Sequence, residues 1–209
     1  MSHQYGTIAF TADVDAEQEL YGSADFYRRV AQRGQGAQAG DSLGPREIDY
    51  LQSRDSFYLS TVSETGWPYV QFRGGPAGFV KVIDEHTLAW ADYRGNLQHV
   101  STGNLRGDDR VSIIAMDYPS QSRLKLFGHA RVVRLEENPE LVEGLHHPED
   151  PDAIVERAVI VTVSAFDWNC PQHITPRYTS DQVKRIVSPL QERIAALELE
   201  NARLKSGTE

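Results

Sequence analysis

The chain has 209 residues, and its 40% hydrophobic content is typical of a folded protein with one main hydrophobic core. Its 21 basic and 30 acidic residues give a net charge of -9, which would repel both a nucleic-acid backbone and an anionic membrane surface. The single cysteine, Cys170, excludes an internal disulfide and a zinc site built from several thiolates, so no metal site is predicted.

The first 44 residues predict a helix followed by a flexible loop. Apolar residues recur at roughly helical spacing from Asp15 to Arg33, and the run ends in Gly34, Gly36 and Gly40. The amino terminus lacks a cationic region followed by an apolar core, and no stretch approaches the ~18 apolar residues of a membrane helix. We therefore expect a cytoplasmic protein without nucleic-acid or membrane partners.

A mainly β region follows a second short helix. That helix is expected to begin at Pro45, because proline is favoured in the first helical turn. Between residues 56 and 133, and again over 158–166, short runs rich in β-branched and aromatic residues alternate with turn residues. One interruption, residues 94–105, suits a short helix. Six or seven strands with a few helices predict an α+β fold built on a small antiparallel barrel.

The carboxyl-terminal segment, residues 179–209, predicts an amphipathic helix. Spacings of four and three alternate between its seam residues, as in a coiled coil, and these residues are Val183, Val187, Leu190, Ile194, Leu197, Asn201 and Leu204. A capping-box pattern at Ser188 and Gln191, with Pro189 at the first helical position, predicts that the helix restarts there. Packing of the helix on its own barrel is the alternative, although a lone asparagine in such a seam favours pairing with a second helix.

Four segments, in this order along the chain, resemble the signature segments of the pyridoxamine 5′-phosphate oxidase-like FMN-binding family. They are SETGWPYVQFRGGP (63–76), ADYRGNLQ (91–98), MDYP (116–119) and WNCPQHITPR (168–177). The resemblance implies a six-stranded antiparallel Greek-key split barrel that forms a homodimer and holds two FMN molecules in grooves between the subunits. The chain would then consist of an amino-terminal helix and loop (1–44), an FMN-binding split-barrel domain (45–178) and a carboxyl-terminal helix (179–209).

The resemblance also implies which residues contact FMN. Alternation along the strand 67–73 puts Gln71 and Arg73 on one side, where both can face the cofactor, and a guanidinium suits a phosphate dianion. By position in the family, the next contacts are Ala91, Asp92, Tyr93, Asn96 and Gln98. Leu97 departs from the basic residue expected at its position, so Arg94, Arg123 or Lys125 would have to compensate. Lys125 is included in the site, with the solvated face of a strand as its alternative.

The loop from Trp168 to Arg177 is predicted to lie against the flavin, because it combines aromatic, donor and titratable side chains with two prolines. Trp168 would stack at the ring edge, and Gln172 or Arg177 would hydrogen-bond the carbonyl side and stabilise the reduced flavin. His173 is the candidate catalytic proton donor, with a structural loop histidine as the alternative.

The sequence leaves three functions open. The first is an FMN-dependent oxidoreductase that acts on a small-molecule substrate. The second is a flavin-binding protein without turnover, such as a carrier or redox sensor whose carboxyl-terminal helix binds a partner. The third is a split barrel that uses a deazaflavin or haem in place of FMN.

Overall fold

The computed structural model describes residues 3–32, 40–168 and 170–206. The chain divides into two compact units. One contains the chain up to Asp117 together with Ser122–Pro171, and the other contains Tyr118–Gln121 and the chain from Gln172 onward. None of the described helices is long and apolar enough to cross a membrane. Gly34 and Gly36, expected in the flexible loop, lie outside the described residues.

The first unit is built on a seven-stranded antiparallel sheet with the strand order β2-β1-β5-β6-β7-β4-β3. The strands are β1 (Ser56–Val62), β2 (Pro68–Gly74), β3 (Lys81–Asp84), β4 (Thr87–Tyr93), β5 (Arg110–Asp117), β6 (Ser122–Arg134) and β7 (Val155–Trp168). All seven correspond to segments that the sequence predicted as strands. The mainly β fold is therefore confirmed, with seven strands where the resemblance implied six.

The main core is made by the inward-facing side chains of the strands. On β1, for example, Phe57, Leu59 and Thr61 are buried while the residues between them are not. Trp90 and Leu88 of β4 are among the largest fully buried side chains of the described chain. Burial of one such large apolar side chain stabilises the fold by roughly 1.5–3 kcal/mol.

Strand β4 is buried on both faces. Leu88 and Trp90 pack into the main core, whereas Ala89 and Ala91 pack into a second cluster that includes Val142 of helix α6 (Pro139–Gly144). Because β4 is covered on both sides, the polar residue near its end, Asp92, is buried as well, with 4% of its surface exposed.

A bulge in β7 at Ser164 brings three backbone segments unusually close together. Phe127 pairs with Ala165 and Gly128 with Val163, so Ser164 is the extra residue. A Cβ at Gly128 would lie 2.5 Å from the carbonyl oxygen of Thr162, and a Cβ at Gly40 would press against the carbonyl oxygen of Val163. Glycine at both positions is what allows these segments to approach.

The amino-terminal region contains the helices α1 (His3–Ala9), α2 (Ala12–Leu20) and α3 (Ala24–Gln32). The prediction of one helix from Asp15 to Arg33 is wrong, because the chain turns between α2 and α3 at Gly22, whose φ is +73°. Arg28 of α3 reaches back across this turn, and its Nε donates to Asp15 Oδ1 at 2.8 Å. The apolar periodicity continues through the turn, so periodicity alone did not reveal it.

Helix α4 (Pro45–Gln52) begins at Pro45, as the sequence predicted. Its amino terminus is capped by Glu47, whose Oε2 accepts a hydrogen bond from the backbone N–H of Gly44 at 3.1 Å. Tyr50 of the same helix places its hydroxyl 3.1 Å from the carbonyl oxygen of Ala115 and 3.0 Å from that of Ser122. These bonds fix α4 against β5 and β6.

The short helix predicted within residues 94–105 is confirmed but is only five residues long, α5 (Val100–Asn104). Before it, Leu97 and His99 adopt left-handed backbone conformations with φ of +63° and +52°. Two left-handed residues cannot continue a right-handed helix, so Leu97 lies in an irregular segment rather than on the helix.

In the second unit, helix α7 runs without interruption from Ser180 to Ser206. The prediction that the helix restarts at Pro189 is wrong, because Pro189 lies inside it. A capping box does exist, but at the start of α7: the backbone N–H of Gln182 donates to Thr179 Oγ1 at 3.2 Å, and that of Thr179 donates to Gln182 Oε1 at 2.9 Å. Pro189 has no backbone N–H, so α7 lacks one helical hydrogen bond at this position.

Candidate cofactor-binding site

A groove lies between β2, the end of β4 and the segment 94–102 that leads into α5, and we call it the β2–β4 groove. Its empty volume is about 400 Å³, part of it open to solvent. Six of the residues predicted to contact the cofactor line it, and they are Gln71, Arg73, Asp92, Tyr93, Asn96 and Gln98. The structure therefore brings together side chains from strands that are distant in sequence.

Alternation along β2 determines which side chains face the groove. Tyr69, Gln71 and Arg73 point to the half-buried side, whereas Val70 and Phe72 are exposed on the other side. Four strands separate β2 from β4 in the sheet order, yet the two strands meet at the groove. The sheet therefore curls until its two ends approach each other, as a barrel requires.

The buried carboxylate of Asp92 joins two arginines at this meeting point. Arg73 Nη1 lies 2.5 Å from Asp92 Oδ1, and Arg157 Nε lies 2.8 Å from Asp92 Oδ2. Only 18% of the Arg73 side chain and 14% of the Arg157 side chain are exposed. Two guanidiniums around one carboxylate leave this cluster with a net positive charge.

Arg157 is a residue of the groove that the sequence did not predict. It lies on β7 directly opposite Asp92 of β4, and strand pairing across so long a separation has no local sequence signal. Its Nη2 also lies 2.7 Å from Glu156 Oε2 and 3.1 Å from His99 Nδ1. Arg94 donates to the other Glu156 oxygen at 2.8 Å, and this hydrogen bond holds the pKa of Glu156 below its usual value.

Two side-chain hydrogen bonds fix α5 against the barrel. Ser101, which is buried, donates to Gln71 Oε1 at 2.8 Å, and Asn104 donates from Nδ2 to Thr61 Oγ1 at 3.0 Å. The wall of the groove that α5 forms is therefore held in place by both β1 and β2.

The segment before α5 forms the rim of the groove. Asn96 accepts a hydrogen bond on Oδ1 from the backbone N–H of Gln98 at 3.2 Å, which is a local turn of the kind asparagine favours. Leu97 lines the groove with 61% of its surface exposed. An apolar side chain thus occupies the rim position for which the family resemblance implied a cation.

Three predicted contact residues of the first unit do not line the groove. Ala91 is buried in the second apolar cluster. Lys125 lies 3.6 Å from Asp167 Oδ2, and its ammonium sits 4.6 Å from the ring centroid of Tyr5. Trp168 packs on α4, and its indole Nε1 donates to Glu47 Oε1 at 2.6 Å.

The guanidinium of Arg46 also lies 4.0 Å above the Trp168 ring, and Tyr50 meets the ring edge with centroids 4.7 Å apart. Trp168 and Lys125 therefore already have partners within their own chain. Their contacts to a cofactor remain predictions, and the same holds for the backbone of Ala91.

The remaining predicted residues, Gln172, His173 and Arg177, belong to the second unit. His173 has a left-handed backbone with φ of +64°, and the guanidinium of Arg177 lies 4.9 Å above the ring of Tyr118. The neighbouring Ile174 is buried, and its carbonyl oxygen accepts a hydrogen bond from Gln121 Nε2 at 2.6 Å. Residues 172–177 are thus held by contacts within the second unit, and their roles toward a flavin stay predictions.

Comparison with known proteins identifies the family. Residues 45–164, more than half of the chain, match the family model described as pyridoxamine 5′-phosphate oxidase. The chain belongs to the pyridoxamine 5′-phosphate oxidase family. The matched range begins with α4 and ends in β7, so it contains every residue of the β2–β4 groove. No curated protein matches the sequence.

The solved structures that resemble this member of the oxidase family are distant from it in sequence. HupZ from Group A Streptococcus is 13% identical, with 65% of this chain and 100% of its own covered and a TM-score of 0.46. An FMN-binding protein from Syntrophomonas wolfei is 10% identical, with 73% and 97% covered and a TM-score of 0.44. An F420 reductase is 18% identical, with 59% and 98% covered and a TM-score of 0.40.

Proposed function

We propose that this protein is a cytoplasmic FMN-dependent oxidoreductase that binds FMN in the β2–β4 groove and acts on a small-molecule substrate. The observation that supports the proposal best is the pair of guanidiniums, Arg73 and Arg157, held around the buried Asp92 carboxylate. Membership of the pyridoxamine 5′-phosphate oxidase family agrees with it.

The donors of the groove fit a phosphate group. Within the described part of the chain, Arg73 Nε is buried without a hydrogen-bond partner, so this guanidinium has an unused donor. Asp92 and Glu156 offset two of the three positive charges of Arg73, Arg157 and Arg94, and a phosphate dianion would be attracted by the charge that remains. The hydroxyl groups of Tyr69 and Thr102, which line the groove, would add neutral donors.

The polar residues of the groove would then orient the cofactor. Ser101 occupies Oε1 of Gln71, which makes the amide NH₂ of Gln71 the group that would donate to a bound flavin. Bound FMN supplies hydride transfer, and the protein supplies position and electrostatics. His173 is proposed as the proton donor, and Gln172 and Arg177 as donors that stabilise negative charge on the ring. Contacts from Lys125 and Trp168 are proposed as well.

We further propose that the protein is a homodimer. The outer face of β1 and β2 exposes a group of large apolar side chains, and these are Tyr58, Val70 and Phe72. Tyr58 and Phe72 meet edge to face with ring centroids 5.7 Å apart. A continuous exposed apolar surface of this kind is typical of a protein interface. Because the same strand β2 lines the groove with its other face, a partner bound there would lie close to the cofactor.

The decisive experiment is the absorption spectrum of the purified full chain, followed by titration with FMN, riboflavin, a deazaflavin and haem in turn. The proposal expects flavin absorption bands and tightest binding of FMN. A Soret band, or saturable binding of the deazaflavin alone, would move the assignment to another cofactor. A colourless preparation that binds none of the four compounds would contradict it.

A flavin-binding protein without turnover is the second candidate. Leu97 favours it, because an exposed apolar side chain at the groove rim leaves the phosphate with fewer cations than the resemblance implied. The two candidates differ in one measurement, the rate at which a nicotinamide donor reduces the bound flavin. In an oxidoreductase, the rate of flavin reduction saturates as the donor concentration rises. In a carrier, the bound flavin is reduced only as slowly as free FMN.

A further inference from the structure

Helix α7 exposes an apolar stripe along its whole length. Within Ser180–Ser206 no residue is buried, although the helix carries several large apolar side chains in the seam predicted from the sequence. The exposed fraction is 45% for Val183, 60% for Leu190, 55% for Ile194 and 65% for Leu204. An amphipathic helix normally covers such a stripe with another element, so this surface is suited to a partner.

The pattern of residue types along the stripe specifies the kind of partner. In heptad notation the d positions are Val183, Leu190, Leu197 and Leu204, and the a positions are Val187, Ile194 and Asn201. β-branched residues at a combined with leucine at d favour a parallel coiled coil of two strands. The rule concerns side-chain packing between two helices, and α7 has the residue pattern that it describes.

Asn201 adds an independent argument about orientation. In a parallel, in-register pair, the a residue of one helix faces the same a residue of the other, so the two Asn201 amides would hydrogen-bond to each other. In an antiparallel pair an a residue faces a d residue, and every d residue of this seam is apolar. An unpaired amide buried against leucine is destabilising, so the parallel arrangement is favoured.

The charged residues beside the seam agree with that orientation. In a parallel pair each g residue lies next to the e residue of the following heptad on the other helix. Here Arg193 at g would face Glu198 at e, and Glu200 at g would face Lys205 at e. Both contacts join opposite charges, and symmetry would make each of them twice. Pro189 occupies a c position, outside the seam.

We propose that α7 pairs with α7 of a second copy of this chain, as a parallel, in-register, two-stranded coiled coil. At a rise of about 1.5 Å per residue, the seam from Val183 to Leu204 offers a contact about 30 Å long. This inference does not depend on the cofactor, because it rests on residues of α7 alone. Two copies joined at their barrels would raise the effective concentration of the helices and strengthen the same contact.

Disulfide trapping in the full chain tests the proposal. Cys170 is exposed and is first replaced by serine, and Leu190→Cys, Leu204→Cys or Leu199→Cys is then introduced into that background. Leu199 is also an exposed leucine but lies at an f position, away from the seam, which makes it the matched control. Under mild oxidation, Leu190→Cys and Leu204→Cys should each form a disulfide-linked dimer, whereas Leu199→Cys should stay monomeric on a denaturing gel.

An antiparallel pair gives a different pattern, because each d residue would then face an a residue of the other helix, as Leu190 would face Asn201. A disulfide found only in the mixture of Leu190→Cys and Asn201→Cys chains would overturn the proposal, and so would equal trapping of Leu199→Cys. Because a seam substitution could weaken the helix pair, the unmodified chain is also tested. Carbodiimide coupling of isotope-labelled with unlabelled chains should join Glu200 of one to Lys205 of the other. Failure of both trapping and coupling would overturn the proposal.

Discussion

Arg157 on β7 lies directly opposite Asp92 on β4, and its Nε is 2.8 Å from the Asp92 carboxylate. The other carboxylate oxygen binds Arg73 on β2, a strand at the opposite end of the sheet order. This one carboxylate therefore connects neighbouring strands and also closes the curled sheet. The groove exists only when the barrel is closed, so a cofactor bound there would stabilise the closed barrel by mass action.

Replacing Arg73 tests phosphate recognition. Arg73→Ala should weaken FMN binding more than riboflavin binding, because only FMN carries the phosphate dianion. The expected difference is on the order of 1.5 to 3 kcal/mol for one charge-assisted hydrogen bond. Fluorescence titration of the two flavins measures it. Arg131→Ala removes an exposed arginine of β6 and serves as the control. Equal losses for FMN and riboflavin would show that Arg73 does not bind the phosphate.

The apolar face of β2 tests the dimer. Phe72→Glu places a charge on the face proposed as the interface and should weaken FMN binding about tenfold or more, which corresponds to about 1.4 kcal/mol. FMN affinity is the suitable measurement, because α7 could still hold two chains together after the barrels separate. Ile83→Glu on β3, an apolar residue of similar exposure, is the control. Unchanged FMN affinity in Phe72→Glu would place the groove within a single subunit.

His173 tests the proposed catalytic loop. Its left-handed backbone favours asparagine over alanine as the replacement, since asparagine adopts that conformation at lower cost. His173→Asn should slow flavin reduction by a nicotinamide donor in stopped-flow measurements and leave FMN bound. His129→Asn, at an exposed histidine paired with Asp109, is the control. If both variants are reduced at the wild-type rate, the loop is structural and the non-catalytic candidate gains support.

Tyr50 gives a prediction about stability at alkaline pH. Burial raises the pKa of Tyr50 above its ordinary value of 10.0. The folded state therefore keeps the phenol proton after the unfolded state has lost it, and this contribution, complete below pH 10, is lost as pH rises through the folded pKa. Tyr50→Phe should destabilise the protein by about 0.5–1.5 kcal/mol at neutral pH and reduce the alkaline loss.

Urea denaturation at a series of pH values from neutral to alkaline measures both effects. Tyr21→Phe is the control, because Tyr21 is 81% exposed and its phenol is in solvent in both states. An identical alkaline loss of stability in Tyr50→Phe and in the wild-type protein would show that another group causes it.

Local patterns were sufficient to predict the strands, whereas the family resemblance was needed to predict six of the fourteen residues that line the groove. Period-two alternation placed Gln71 and Arg73 on one side of β2, and the structure has both in the groove. Arg157 was missed because its importance comes from the residue opposite it on β4, some sixty positions earlier in the sequence. Pairing between strands so distant is determined by packing of the whole sheet, which leaves no local signal.

Two helix predictions are wrong, each at a single proline or glycine. Pro189 does not start a helix, because the capping hydrogen bonds form at Thr179 and Gln182 and the helix passes through the proline. Gly22 ends α2 through its positive φ, inside a run of residues whose apolar spacing predicts one helix. A proline or glycine changes the local cost of a helix by a few kcal/mol at most, and the surrounding residues decide the outcome.

The bulge at Ser164 limits which sequences this fold can accept. Gly40 and Gly128 approach it from two separate parts of the chain, and each leaves room for a hydrogen atom alone. Any side chain at either position would force two backbone segments apart. In a saturation-mutagenesis library scored for soluble expression, codons 40 and 128 would therefore act as internal standards for correct folding. At other codons, variants depleted as strongly as these two have lost the fold. Variants that stay soluble but no longer bind the cofactor have lost only the cofactor site.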